Sequence, residues 1–256
     1  MSGRTSGRPM QIRKTLKQMS NYKILVALFS YNEGEKLKKL VEQLPRTGEY
    51  EILFVDDGSE DGSYEFLKGR QFHVIRHDTN RGIGLGIREA IIFGRTHGYG
   101  IIVIMAANGK MLPGEIERLV APIIHEEYDY VQGSRNLPGG KSPHLPLFRE
   151  LMIDLFTFFV NRIGRFKGTD ITCGFRAYRL SLFDDRRFNL NQSWLEKYEM
   201  EYYIHYHVLK GGYRITEVPV SMMYPESKKN YSKIKPLVGW WSMVRPWLFL
   251  ILKIKR

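Results

Sequence analysis

Residues 51–59 read Glu51-Ile52-Leu53-Phe54-Val55-Asp56-Asp57-Gly58-Ser59, and this run gives the clearest indication of fold class in the 256-residue chain. Its apolar half is typical of a buried strand in a parallel sheet. Its acidic half follows at the carboxyl end of that strand, where open α/β sheets bind their ligands. Asp56 and Asp57 can accept hydrogen bonds from a nucleobase, a ribose or a sugar. A solvated turn with Ser59 or Asp61 opening the next helix explains the same residues.

Strands and helices are predicted to alternate through the first half of the chain. The predicted strands are residues 23–29, 51–55, 72–76, 101–105 and 128–131. The predicted helices are residues 35–44, 61–67, 84–96 and 113–126. This order predicts an α/β fold with a doubly wound, mainly parallel sheet flanked by helices.

The second half of the chain is richer in helices and aromatic residues. Residues 136–146 predict a mobile loop, residues 147–164 and 195–210 predict helices, and residues 213–218 predict a strand. The 147–164 helix is apolar and aromatic apart from a narrow polar stripe. It is therefore expected either in the core or against a membrane interface or partner helix.

The two ends of the chain differ from its centre. Residues 1–20 are basic and rich in Ser and Gly, which predicts a flexible arm before a domain spanning residues 21–235. Residues 236–256 mix aromatic, aliphatic and basic side chains. This tail is too short to span a bilayer, and its composition is typical of a membrane-surface anchor. A partner-docking helix or an edge packed on the domain has the same composition.

Composition and charge narrow the class of partner. The net charge is +12, with 43% hydrophobic and 26% charged residues, which indicates a globular chain with an anionic partner. Nucleic acid is not expected, because no nucleic-acid-binding motif is visible and the Asp56-Asp57 turn would repel phosphates. The single cysteine, Cys173, suits a reducing compartment. No apolar run is long enough to span a membrane, so we expect a soluble or peripheral protein on the cytoplasmic face.

Six short motifs follow one another along the chain. They are Ser30-Tyr31-Asn32-Glu33, Val55-Asp56-Asp57-Gly58-Ser59, Asn80-Arg81-Gly82-Ile83-Gly84-Leu85-Gly86, Gly133-Ser134-Arg135, Thr169-Asp170-Ile171-Thr172-Cys173-Gly174-Phe175-Arg176 and Ser232-Lys233-Ile234. Together they resemble the family-2 inverting glycosyltransferases of the GT-A fold. The likeness is to the polyprenyl-phosphate branch, which includes the dolichol-phosphate mannose synthases, and it covers residues 22–235.

The resemblance implies an enzyme that moves a hexose from a nucleotide sugar with inversion. The donor would be of the GDP-mannose or UDP-glucose type, and the acceptor a polyprenyl phosphate or a related membrane glycan. The nucleotide pocket would use Tyr31, Glu33, Asp57, Gly82, Gly84 and Asn108, with Asp56 either beside the base or structural. Gly82 and Gly84 would allow the backbone to approach the nucleotide closely.

The chain departs from the family where an Asp-x-Asp motif usually holds Mg²⁺ or Mn²⁺. Here the residues are Ala106-Ala107-Asn108, and only Asn108 offers a ligand atom, a neutral carbonyl oxygen. Three readings remain open. Lys110 replaces the cation at the diphosphate, a weak metal site survives on Asn108, or the chain is a catalytically impaired binding or scaffold protein.

The acceptor side offers one acid and several cations. Asp170 matches the family position of an acceptor-side acid, and it either acts as a base or positions a loop. Transfer to a hydroxyl needs a base, whereas a phosphate oxygen is already an anion. Arg135, Arg149 and Lys233 are the candidates for holding an acceptor phosphate. Arg135 is also a catalytic candidate, together with Lys110 and Asp170.

Overall fold

The structure is a computed structural model that describes residues 22–45, 48–164, 166–226 and 238–255. Within these ranges the strands are β1 Ile24–Ser30, β2 Glu51–Asp56, β3 His73–Arg76, β4 Ile101–Ala106, β5 Tyr130–Ser134, β6 Arg176–Arg179 and β7 Ile215–Pro219. The helices are α1 Glu35–Gln43, α2 Ser63–Lys68, α3 Ile83–Thr96, α4 Ile116–His125, α5 Leu147–Gly164, α6 Glu199–Gly211 and α7 Val238–Ile251.

The described strands form one mixed sheet in the order β3-β2-β1-β4-β6-β5-β7. Strand β1 runs parallel to β2 and β4, β2 is parallel to β3, and β5 is parallel to β7. Strand β6 alone among them runs antiparallel to both of its neighbours, β4 and β5. The prediction of a mainly parallel, doubly wound sheet is therefore confirmed.

Strand β6 is the element that the sequence did not predict. It contains only Arg-Ala-Tyr-Arg, and a fully buried arginine at its first position breaks the apolar pattern expected of a central strand. Arg176 is tolerated there because its guanidinium donates to the carbonyl oxygens of Cys173 (2.9 Å) and Ile171 (3.0 Å). The predicted 195–210 helix is also shifted, because a 3₁₀ turn at Ser193–Leu195 precedes α6.

The core lies on both faces of the sheet. All of β1 is buried, and alternate residues along a strand point to opposite faces. Val26 and Leu28 pack with α1 and α4 on one face, whereas Leu25 and Ala27 pack with α3 and α6 on the other. This two-sided cover explains why the central strands are apolar throughout.

Helices α5, α6 and α7 share a third apolar cluster. It contains Phe156 and Val160 of α5, Tyr202 of α6, and Met243 and Trp247 of α7. Glu199 of α6 accepts hydrogen bonds from Ser242 and Arg245 of α7. The described part of the C-terminal tail is thus a helix packed against the domain, with an outer face that exposes Trp241, Leu248, Ile251, Leu252 and Ile254.

Several sequence predictions concern residues outside the described ranges. They are the arm at residues 1–20, the boundary between residues 235 and 236, and Lys233. Among the described residues, no helix has the length and apolar character needed to cross a bilayer. The predicted loop at 136–146 is described, and it is tied down by hydrogen bonds from Lys141 N to Val220 O (3.2 Å) and from Met222 N to Lys141 O (2.8 Å).

Candidate active site

The predicted site residues gather at one edge of the sheet. Because β1, β2 and β4 are parallel, their carboxyl ends meet, and the register pairs Ser30 with Asp56 and Phe29 with Ala106. Tyr31, Asp57 and Asn108 therefore lie in the loops at this edge. The carboxyl end of β5, which carries Arg135, lies at the same edge, since β5 runs in the same direction.

The loops after β1 and β2 are joined by side chains. Asn32 N donates to Ser59 Oγ (2.9 Å), Glu60 N donates to Asn32 Oδ1 (2.9 Å), and Gly34 N donates to Ser63 Oγ (3.1 Å). Asn32 has a φ of 49°, a left-handed conformation that asparagine adopts more readily than most residues. These contacts fix the loop that presents Tyr31 and Glu33.

Asp56 holds the turn that follows β2. Its side chain is fully buried, and its carboxylate accepts the Ser59 backbone N–H (3.1 Å) and the Ser59 hydroxyl (2.5 Å). Of the two roles considered for Asp56, beside the base or structural, these contacts support the structural one.

Asp57 is tied to the glycine-rich loop. Its Oδ1 accepts the Arg81 backbone N–H (2.8 Å) and contacts His77 Nδ1 (2.6 Å), and its Oδ2 accepts the Gly82 N–H (2.9 Å). Burial by itself would raise the pKa of Asp57, but the hydrogen bonds from His77, Arg81 and Gly82 outweigh it and lower the pKa. A carboxylate oxygen has two lone pairs, so Oδ2 can still accept one donor from a nucleotide.

His77 is a functional candidate that the sequence did not reveal. Its ring lies between two carboxylates, with Nδ1 2.6 Å from Asp57 Oδ1 and Nε2 2.7 Å from Glu89 Oε2. The contact with Asp57, followed by the contact with Glu89, raises the pKa of His77 above 6.5 although burial opposes it. Glu89 lies on α3, 12 residues further along the chain. In the sequence, His77 is an isolated histidine after a short strand, and no pattern around it indicates its contacts with Asp57 and Glu89.

The glycines of the loop are needed for packing within the chain itself. A Cβ on Gly84 would lie 2.0 Å from Leu195 O, and one on Gly82 would lie 2.5 Å from Glu196 O. The Glu196 carbonyl accepts the N–H groups of Gly84 (2.9 Å) and Leu85 (3.2 Å) at the start of α3. Close approach to residues 195–197 is thus a steric reason for Gly82 and Gly84 that the sequence did not predict. Their contact with a nucleotide stays a prediction.

The residues at the position of the Asp-x-Asp motif offer few ligand atoms to a cation. Asn108 Oδ1 accepts the Lys110 backbone N–H (3.1 Å), and Ala106 carries no ligand atom. Over the residues that the structure describes, no group of three Asp, Glu, His or Cys side chains is placed to hold a metal ion. The donor set therefore does not fit a metal site built from protein carboxylates.

Arg135 and Asp170 form a buried ion pair. Arg135 Nε lies 2.6 Å from Asp170 Oδ2 and Nη2 lies 2.7 Å from Oδ1, a bidentate contact. Burial would raise the pKa of Asp170, but Arg135 lowers it below the usual value. Asp170 is fully buried, and Thr172 Oγ1 also donates to it (3.0 Å). Of the two roles left open for Asp170, this geometry supports positioning and opposes a base.

The hydroxyl group of Tyr224 connects the buried ion pair to the candidate site. Arg135 Nη1 donates to the Tyr224 hydroxyl (2.8 Å), and Nη2 donates to Thr172 Oγ1 (2.6 Å). With these contacts most of the Arg135 donors are used inside the protein. Arg135 therefore supports the site by holding the side chains of Tyr224 and Thr172. Its contact with an acceptor phosphate stays a prediction.

Two further cations lie at the ring of Tyr224. Lys110 Nζ lies 5.3 Å and the Arg149 guanidinium carbon 5.8 Å from the ring centroid, within the range of cation–π attraction. Lys110 is also fixed through its carbonyl oxygen, which accepts the Met223 N–H (2.8 Å). Residues far apart in sequence are thus brought together, and Tyr224 was not predicted because it lies 89 residues from Arg135.

Three further ionisable side chains, those of Cys173, His205 and Glu201, pack within the protein. Cys173 is buried, and burial raises the pKa of its thiol to about 12. Burial and then Arg176 lower the pKa of His205 well below 6.5, so this ring is neutral. Glu201 lies 3.7 Å from Arg176, and burial raises its pKa. A buried thiol that stays protonated and a buried neutral ring are what we expect of side chains that pack within the protein.

A separate groove lies at the opposite end of the sheet. Its lining includes Tyr22, Tyr99 and Gly100, which precede β1 and β4. None of the predicted site residues lines it. We therefore place the candidate active site at the carboxyl edge, where the predicted motifs, the cations and the joined loops meet.

Comparison with known proteins agrees with this geometry. The sequence model of glycosyl transferase family 2 matches residues 25–187. The chain belongs to glycosyl transferase family 2. The family and the GT-A fold predicted from the six motifs are therefore confirmed.

Several named relatives match most of this family-2 chain. It is 29% identical to undecaprenyl-phosphate mannosyltransferase of Micrococcus luteus, over 80% of this chain and 85% of the relative. It is 28% identical to polyprenol monophosphomannose synthase of Mycolicibacterium smegmatis, over 82% of each. It is 26% identical to the UDP-N-acetylglucosamine–dolichyl-phosphate N-acetylglucosaminyltransferase of Methanococcus voltae, over 81% of this chain and 88% of the relative.

The solved structures that resemble the chain show the fold. Glucosyl-3-phosphoglycerate synthase of Mycobacterium tuberculosis in complex with UDP superimposes with a TM-score of 0.67 at 15% identity, over 99% of this chain and 86% of that one. The same enzyme has been solved with Mn²⁺ and UDP-glucose, again with a TM-score of 0.67. These neighbours confirm the GT-A architecture of the family-2 domain.

Proposed function

We propose that this chain transfers a hexose, with inversion, from a nucleotide sugar to the phosphate of a polyprenyl phosphate at a membrane surface. One observation carries the proposal: Lys110 and Arg149 meet at the Tyr224 ring, beside an acid, Asp170, that is locked in a buried ion pair. Cations beside a carboxylate that is already paired suit an anionic acceptor better than a hydroxyl.

The donor is assigned to the loops after β1 and β2. Tyr31 and Glu33 lie on the first loop, and the remaining lone pair of Asp57 Oδ2 can accept a base or ribose donor. The named relatives transfer mannose or N-acetylglucosamine to lipid phosphates. A GDP-mannose-type or UDP-hexose-type donor fits both the pocket and these relatives.

The acceptor phosphate is assigned to Arg149. This residue lies in the first turn of α5, and its guanidinium carbon lies 5.8 Å from the centroid of the Tyr224 ring. An arginine suits a phosphate because its planar donors make two parallel hydrogen bonds. Lys233 was predicted for the same role, and it remains a prediction because it lies outside the described residues.

The reaction needs no proton transfer at the acceptor. A phosphate oxygen attacks the anomeric carbon from the face opposite the leaving group, which forms the new C–O bond and inverts the centre. The old C–O bond breaks, and its electron pair goes to the departing nucleoside diphosphate. We expect the ammonium group of Lys110, whose backbone is held by Asn108 and Met223, to stabilise that growing negative charge.

The protein is proposed to work as a peripheral protein on the cytoplasmic face. Two exposed basic residues, Lys253 and Lys255, follow the outer apolar face of α7. A basic segment beside exposed aromatic and aliphatic groups is attracted to anionic lipid headgroups. This composition supports the outer face of the tail as a membrane-surface anchor.

A second candidate function is a binding or scaffold protein of the same fold. It is favoured by Ala106 and Asn108, which replace the usual cation ligands. Such a protein would bind the nucleotide without turning over the sugar.

The test is a steady-state transfer assay in excess EDTA with a water-soluble short-chain prenyl phosphate. Lys110→Met is expected to lower kcat about 100-fold, because it removes charge needed in the transition state. Arg149→Met is expected to raise the KM for the acceptor about tenfold or more. Lys39→Met, an exposed lysine on α1, is the matched control and should behave as the unmodified chain.

Three outcomes would contradict this account. Activity that disappears in EDTA and returns with Mg²⁺ or Mn²⁺ would show that Lys110 does not replace the cation. An unchanged kcat for Lys110→Met would remove its electrostatic role. Nucleotide binding without any transfer, with or without added metal, would favour the scaffold function.

A further inference from the structure

The side chain of Glu199 lies in the contact between α6 and α7. It is fully buried, and its Oε1 accepts a hydrogen bond from the Ser242 hydroxyl and contacts Nη2 of Arg245. Its other oxygen, Oε2, has no hydrogen-bond partner among the described residues. Glu199 is the first residue of α6, so these contacts join the start of that helix to α7.

The burial of Glu199 has a cost that packing alone does not explain. A carboxyl group taken out of water is destabilised, and its attraction to a cation offsets only part of that loss. Apolar residues of similar volume often stabilise such a position equally well or better. A buried ion pair can instead fix the register of two packed elements, because a shifted register leaves the carboxyl group without its cation. The pair of Glu199 and Arg245 is therefore suited to setting the position of α7 on α6.

Helix α7 also contacts the residues just before α6. The ring of Phe249 lies edge-to-face against Trp194, with 5.9 Å between the ring centroids, and Trp194 belongs to the 3₁₀ turn that precedes α6. Leu250 is buried in the apolar cluster that contains Leu195. Together with Glu199, these contacts hold residues 193–199 against α7 at both ends of that segment.

The same segment supports the glycine-rich loop. The Glu196 carbonyl oxygen accepts the N–H groups of Gly84 (2.9 Å) and Leu85 (3.2 Å), and its carboxylate lies 3.7 Å from the Arg81 guanidinium. The Arg81 backbone N–H in turn donates to Asp57 Oδ1 (2.8 Å). A continuous series of direct contacts therefore leads from α7, through residues 193–199, to a carboxylate assigned to the nucleotide pocket.

We propose that Glu199 is a positioning residue for the nucleotide pocket. By holding α7 against residues 193–199, it fixes the Glu196 carbonyl oxygen and, through it, the glycine-rich loop that contacts Asp57. The proposal rests on the proposed function for the identity of the ligand, whereas the support of the loop by α7 does not depend on it. The described tail helix is then a part of the nucleotide pocket and not only a surface anchor.

The experiment changes the partners of Glu199 on α7. Arg245→Met removes the cation and keeps an unbranched side chain, Ser242→Ala removes the hydroxyl, and Arg245→Lys keeps a positive charge. Ile123→Ala is the control for a general loss of stability. Ile123 is fully buried on α4, and it belongs to the apolar cluster on the face of the sheet away from α6.

Three measurements are made on the full chain. NMR-detected hydrogen exchange follows the Gly84 and Leu85 amides relative to the amides of β1, whose exchange reports global unfolding. Calorimetric titration in excess EDTA gives the affinities for UDP and GDP. Urea denaturation gives the stability of each variant.

The expected result is a local loosening of the loop. In Arg245→Met the relative exchange of the Gly84 and Leu85 amides should rise about tenfold, and the preferred nucleotide should bind about tenfold more weakly. Ser242→Ala should change both in the same direction by a smaller factor, and Arg245→Lys should resemble the unmodified chain. Ile123→Ala should unfold at a lower urea concentration, with relative exchange and nucleotide affinity unchanged.

Two results would overturn the proposal. Equal relative exchange in Arg245→Met and Ile123→Ala would show that α7 does not support the loop, and Ser242→Ala carries the same test if Arg245→Met fails to fold. Faster exchange with unchanged nucleotide affinity would show that the loop position does not set the nucleotide pocket. If the unmodified chain binds neither UDP nor GDP, the proposed function is wrong, while the exchange of Gly84 and Leu85 still tests the support by α7.

Discussion

At the scale of single residues, the carboxylates of the site are governed by partners that lie far away in sequence. Asp56 and Asp57 were predicted at the carboxyl end of β2, where the structure has them, because an apolar run locates that strand, whereas Asp170 was identified only by its match to a family motif. Their roles were not predictable, because the partners that decide them lie far away in sequence. Asp57 contacts His77, 20 residues away, and Asp170 contacts Arg135, 35 residues away. Sequence patterns predict local structure, whereas tertiary contacts decide which donors a carboxylate oxygen accepts.

His77 should hold Asp57, and through it the glycine-rich loop, in a pH-dependent manner. Its pKa is raised in the folded protein above 6.5, so the stabilisation is fully present below about pH 6.5 and is lost as the pH rises through the folded value. We expect His77→Gln to lower the free energy of unfolding by about 1–3 kcal/mol at pH 6, as for a hydrogen bond to a charged group. The difference should shrink at pH 9. Urea denaturation at both pH values measures it.

The matched control for this prediction is His73→Gln, which changes a histidine whose side chain is 51% exposed. Its effect should be small at either pH. The affinity for the nucleotide gives a second readout, since His77→Gln should weaken it by loosening Asp57. A His77→Gln variant with unchanged stability at pH 6 and unchanged nucleotide affinity would show that His77 does not position Asp57.

At the scale of elements, the loop before α3 was predicted at the right position, but only part of the reason for its glycines was predicted. The spacing of Gly82 and Gly84 predicted a loop before a helix, and the structure has that loop. The glycines are required because residues 195–197 pack directly on the backbone, and the Glu196 carbonyl occupies two N–H groups of the helix. No local pattern in the sequence connects residues more than a hundred positions apart.

Gly84→Ala should destabilise the protein by steric conflict. The added Cβ would lie 2.0 Å from Leu195 O and 2.4 Å from Lys197 O, both backbone atoms that cannot rotate away. We expect a loss of about 2 kcal/mol or more in the free energy of unfolding, measured by urea denaturation. Gly114→Ala is the control, because a Cβ there meets nothing within 4 Å, and it should change stability by less than about 0.5 kcal/mol. Equal midpoints for the two variants would contradict the packing described for residues 195–197.

At the scale of the whole molecule, the strongly patterned part of the fold was predictable and the C-terminal part less so. The apolar runs that became β1, β2 and β4 are buried on both faces, so their sequences carry the signal. Strand β6 was not predicted, because its first residue is a buried arginine whose guanidinium donates to backbone carbonyl oxygens. Only the folded chain brings those carbonyl oxygens to Arg176. The composition of α7 allowed either a membrane anchor or a packed edge, and the structure shows that its inner face packs on the domain.

The central claim is that this family-2 glycosyltransferase uses a phosphate, and not a hydroxyl, as its acceptor. The most direct measurement presents the purified chain with a polyprenyl phosphate and with the matched polyprenol, using GDP-mannose, UDP-glucose or UDP-N-acetylglucosamine as donor. Mass spectrometry then follows the glycosylated lipid. We expect one donor to give a sugar-phosphate-polyprenol product, and the polyprenol to give none, because Asp170 is held by Arg135 and cannot serve as a base. Transfer to the polyprenol at a comparable rate would contradict the account and direct attention to Glu201, the carboxyl group near Arg176 whose pKa burial raises.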